Sequence, residues 1–66
     1  MTLDAAWAAA EAELPDGWEI LSLRYLDGQW RAEAGSVVAA WRYRHATGST
    51  PVVALLALAG VLEDER

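Results

Sequence analysis

The chain has 66 residues and a formal net charge of −5 from ten acids and five bases, all five of them arginine. With no Cys and a single His, it excludes a disulfide framework and an ordinary Cys/His zinc site. A hydrophobic content of 55% against 23% charged residues excludes a disordered chain, and the length allows one small domain.

Residues 3–14 carry Leu3, Ala6, Trp7, Ala10 and Leu14 on one helical face. Thr2 or Asp4 suits the N-cap, and Pro15 stops the helix because it has no backbone N–H to donate. Asp16-Gly17 makes a turn. From Trp18 the apolar period changes to two, and Asp27-Gly28 signals a two-residue hairpin. Pairing across it sets Tyr25 against Trp30, Leu23 against Ala32 and Leu21 against Ala34, an apolar face throughout. Gly35-Ser36 reads as a second tight turn, which sets Ala34 against Val37, Ala32 against Ala39 and Trp30 against Trp41. An aromatic row, Tyr25–Trp30–Trp41, would then cross the sheet, with Tyr43 beyond it.

His45 to Ser49 reads as a loop. Thr50 is a good N-cap and Pro51 occupies the favoured first helical position of a helix over 51–62. The expected architecture is α+β, a two-layer α-β-β-β-α domain over residues 1–66. It has a three-stranded antiparallel meander with both helices on one face.

Two features exceed what that fold needs. The second helix has no polar side chain on any face, whereas a helix covered on one side only should be amphipathic. Val52, Leu55, Leu56 and Val61 are therefore candidate interface residues, with a second copy of the chain as the simplest cover. The bare outer side of the first helix, Ala5, Ala8, Ala9 and Ala12, agrees with this. The other feature is charge placement. In the register above, Arg24, Arg31, Arg42 and Arg44 share the sheet face away from the helices, and only Glu33 clearly joins them. With Trp18 they form a candidate platform for an anionic partner, either single-stranded nucleic acid or an acidic protein surface. The alternative is that the arginines simply solvate an exposed face.

No constellation suggests catalysis. Ser22, Ser36 and Ser49 have no matched base, and His45 reads as a solvated loop residue. Glu63, Asp64 and Glu65 are consecutive, so on a helix they diverge and make a poor metal site. No enzyme activity, cofactor or metal is expected. A pI ≈ 4.5 argues against wholesale wrapping of nucleic acid. Met1-Thr2-Leu3-Asp4 lacks the basic segment of a secretory signal. The apolar run 51–62 makes a helix of about 18 Å against a hydrocarbon core of about 30 Å. The expectation is a cytoplasmic protein with no membrane attachment, from a GC-rich bacterial or phage source.

The stretch Gly48-Ser49-Thr50-Pro51-Val52-Val53-Ala54-Leu55-Leu56-Ala57-Leu58 resembles the G-x-T-P-x-x-A-L-x-x-L opening of the last helix in HicB-like antitoxin domains. Asp27-Gly28-Gln29-Trp30-Arg31-Ala32 resembles their hairpin. The element order is similar to the double-stranded-RNA-binding fold, but Pro51, Val52 and Val53 stand where such domains place lysines. The resemblance implies an antitoxin-like regulatory role by analogy, and a phage- or plasmid-encoded regulator of a host protein is a third reading. The uniformly apolar second helix makes the first expectation a non-enzymatic protein–protein interaction module, homodimeric or docked on a protein partner. The alternative is single-stranded nucleic-acid binding through the arginine face.

Overall fold

A computed structural model describes residues 1–64. It contains α1 (Leu3–Ala12), β1 (Trp18–Leu26), β2 (Gln29–Ser36), β3 (Tyr43–Gly48) and α2 (Pro51–Glu63). The strands form one antiparallel sheet in the order β1-β2-β3. This is the expected α-β-β-β-α architecture.

Local chemistry sets the element ends. Thr2 caps α1 by accepting from the Ala5 N–H at 3.1 Å. The regular helix ends at Ala12, two residues before the expected end. Glu13 and Leu14 still donate three residues back, to Ala10 and Glu11, in a tightened last turn before Pro15. Asp27 at φ 52° and Gly28 at φ 82° are both left-handed, as a type I′ turn requires. Thr50 caps α2 through the Val53 N–H at 3.1 Å, with Pro51 in the first turn.

The β1–β2 register agrees with the sequence reading from the turn as far as Leu23–Ala32. A bulge between Ile20 and Ser22 then sets Ile20, not Leu21, against Ala34. Leu21 is left exposed and lies over Gly35, its Cδ1 3.0 Å from where a Cβ there would fall. Trp18 shares the helix-side face with Ile20 and is half-buried against the core, so it does not belong to the open sheet face as expected.

The larger correction concerns β3. No tight turn forms at Gly35-Ser36. β2 continues through Ser36, residues 37–42 form a loop, and β3 occupies a segment read mostly as loop. Ala32 faces Ala46, Ala34 faces Arg44 and Trp30 faces Gly48. The expected pairing would have stacked Trp30 on Trp41. The observed one places small residues at the β2–β3 positions that α2 covers. Gly48 shows why this matters: a Cβ there would fall 2.6 Å from the Ala54 backbone N. The expected aromatic row consequently stops at its first pair, Tyr25 and Trp30, edge to face with centroids 5.7 Å apart. Tyr43 lies on the open face, and Trp41 and Arg42 lie in the loop.

The buried core is Ala6, Ala10, Ala32, Ala34, Ala46, Ala54, Leu55, Leu58 and Leu62. Trp7, Leu14, Trp18, Ile20, Leu23 and Trp30 pack around it. α2 rests on the sheet, mainly on β3 and β2, and α1 packs on α2. Covered by two layers, α2 is buried on more than one side, and its lack of a polar face follows from that. Leu55 is fully buried and is a core residue, not an interface residue. Val52 and Val61 are half-buried against the core, while Leu56, with Val53, remains exposed. No helix among the described residues is long and apolar enough to cross a membrane.

Candidate interaction surfaces

The loop 37–42 begins with Ser36, whose hydroxyl oxygen accepts from the Val38 N–H at 3.2 Å and the Ala39 N–H at 3.1 Å. Such short-range side-chain bonding favours a turn over continued strand. Ser36 N–H donates to the Arg42 carbonyl at 2.9 Å, closing the base, and Arg42 N–H donates to the Ala39 carbonyl at 2.9 Å. Val37 N–H donates to the Gly17 carbonyl at 2.8 Å, which ties the loop to the α1–β1 turn. The loop backbone is thus pinned, while its large apolar side chains, Val37, Val38 and Trp41, are exposed to water. Val38 is 87% exposed, Trp41 83% and Val37 61%. The Arg42 guanidinium lies 6.0 Å from the Trp18 ring centroid, a cation–π contact at the loop's exit. Leu21 sits over Gly35 beside the Arg42 carbonyl and extends the apolar surface from the loop base. At their exposed fractions Leu21, Val37, Val38 and Trp41 together leave about 500 Å² of residue surface open at this end of the molecule, the scale of a large apolar patch on a monomer.

The open sheet face is organised around Glu33. One carboxylate oxygen, Oε1, accepts from the Ser22 hydroxyl at 2.6 Å and lies 3.3 Å from the Arg24 guanidinium. The other, Oε2, accepts from the Tyr43 hydroxyl at 3.2 Å and lies 3.4 Å from Arg31 Nε. Arg31 Nε is buried and makes no well-oriented hydrogen bond, so that contact is Coulombic. Arg31 Nη2 donates to the Tyr43 oxygen at 2.6 Å, and His45 Nδ1 is 3.2 Å from the same oxygen. With the Tyr43 proton directed at Glu33, the His45 contact requires a hydrogen on Nδ1.

This network shifts two groups. The Ser22 hydrogen bond, seconded by Tyr43 and the two arginines, holds the Glu33 carboxyl below the ordinary carboxylate range, although burial opposes it. The hydrogen bond to Tyr43 holds the Arg31 guanidinium above its ordinary value. The assembly is a braced polar surface. Arg24, more than half exposed, contributes little through its ion pair.

The expected group of four arginines is divided. Arg24 and Arg31 face each other on the open side, both drawn to Glu33. Arg42 is in the loop, and Arg44 pairs with Ala34 on the helix side of edge strand β3, its Nη1 donating to the Tyr43 carbonyl at 2.7 Å. The open face is therefore no basic platform. Sequence reasoning missed Ser22, Tyr43 and His45 as partners of Glu33. Parity would have placed Tyr43 and His45 beside Arg31 once β3 was moved to Tyr43–Gly48. Among the described residues no three His, Asp or Glu side chains converge as a metal ion requires, and Glu65 of the acidic tail lies outside them. No known protein family matches the chain, and no curated protein or solved structure is similar to it.

Proposed function

We propose that this chain is a small non-enzymatic protein–protein interaction module, a cytoplasmic regulator of the kind its HicB-like resemblance implies. It docks through the loop 37–42. The observation that supports this reading is Trp41, 83% exposed on a loop whose backbone is hydrogen-bonded in place. Exposed tryptophan is costly to leave in water and is the residue type most enriched at interface hot spots. A pinned loop also loses less conformational entropy on docking than a free one.

The test is the native mass of the protein in extracts of cells that make it, read by gel filtration. Wild type is expected above the position of the 7.2-kDa chain, and Trp41→Ser and Val38→Ser at that position, with Tyr25→Ser unchanged. Elution of wild type as the free chain, in extract and pure alike, would overturn the reading. Single-stranded nucleic-acid binding ranks second. It retains Arg24 and Arg31 on one face, but both are paired with Glu33. It requires salt-sensitive oligonucleotide affinity that Arg31→Ala weakens.

A further inference from the structure

We infer that the partner seated on the Trp41 loop is a second copy of the same chain, related by a two-fold axis through the loop end of the molecule. The inference rests on the interaction-module reading and names its occupant. Area is the first argument. Burying the apolar patch of about 500 Å² on each of two copies removes about 1,000 Å² from water, the lower bound for a specific interface. A two-fold contact uses one patch twice, so no second docking surface is needed on either copy.

Charge is the second argument. The molecule carries a net −5, yet the border of this patch is mixed in sign. Arg42 lies over Trp18, and Asp16 and Glu19 flank Trp18 along the chain, both exposed. The Val37–Gly17 bond fixes the loop against that segment. Of the two-fold axes that pass through the loop, the inferred dimer takes one that sets Arg42 of each copy toward the carboxylates of the other. A partner of uniform sign would be repelled by one half of this border.

The contrast with α2 points the same way. Its exposed apolar side chains, Val53 and Leu56, are each less than half exposed, and two layers of the chain's own structure cover the rest of the helix.

Sedimentation equilibrium of the full chain from about 1 µM to about 500 µM tests the inference, a range that brackets a minimal interface. Wild type should show a monomer–dimer equilibrium. Trp41→Ser should raise the dissociation constant at least about tenfold, as loss of a central hot spot does, with an unchanged far-ultraviolet spectrum. Leu56→Ser, on α2, should leave the dimer intact. A wild-type monomer across the whole range overturns the inference, and so does a dimer that survives Trp41→Ser or is lost in Leu56→Ser. Pure protein that stays monomeric yet migrates in extract as a Trp41-dependent complex would remove self-association and leave the interaction-module reading standing.

Discussion

Val37 to Trp41 and Val52 to Leu62 are each apolar without interruption. The structure treats them oppositely. α2 packs against both the sheet and α1, and Leu55, Leu58 and Leu62 are fully buried. The loop 37–42 lies under no layer, and Val38 and Trp41 are nearly as exposed as side chains can be. The difference comes from backbone accounting. A helix satisfies its own backbone groups and can be covered on several sides at no polar cost. The loop satisfies several of its groups through Ser36 and Gly17 at the surface, and its large side chains remain exposed. An apolar sequence thus marks core in one case and exposed surface in the other.

Substitutions that probe burial should break the comparison most sharply on the α2 side. Leu58→Ala leaves a cavity in a fully buried site and should cost about 2–5 kcal/mol in denaturant unfolding. Gly48→Ala places a methyl 2.6 Å from the Ala54 backbone N. It should cost about 1–3 kcal/mol by pushing α2 off the end of β3. The Glu33 network lies between the extremes. Its folded carboxyl is held below the unfolded value, so its stabilisation is complete above the ordinary carboxylate pKa and disappears as the pH falls through the lowered value. Unfolding followed from neutral to acid pH should therefore show a shallower loss of stability in Glu33→Gln than in wild type. The smallest effect belongs to the loop: Trp41→Ser should change monomer stability by less than about 0.5 kcal/mol. A loss of several kcal/mol there would mean that Trp41 is structural and that the two apolar segments are alike.

Both helices and the first hairpin were legible because their signals are local. Thr2, Pro15, Asp27-Gly28 and Thr50-Pro51 act within a few residues, through caps, a missing donor and left-handed turn positions. The third strand was not legible. Val37-Val38-Ala39-Ala40-Trp41 has no polar alternation, so parity along it carries no information, and two registers both give an apolar face. The candidate arginine face inherited that error. Its members at 42 and 44 were placed by the wrong pairing, and the bulge before Ser22 moved Trp18 to the helix side.

Sequence by itself determined the element order, the caps, the hairpin turn and the presence of one helix too apolar for a single-sided layer. Tertiary structure alone decided the β2–β3 register and, with it, that Trp30 packs against the core while Trp41 is presented. The physical reason is the space beneath α2. Ala32, Ala34, Ala46 and Gly48 let that helix approach the sheet closely, and a pairing that brought Trp41 there would have held it away.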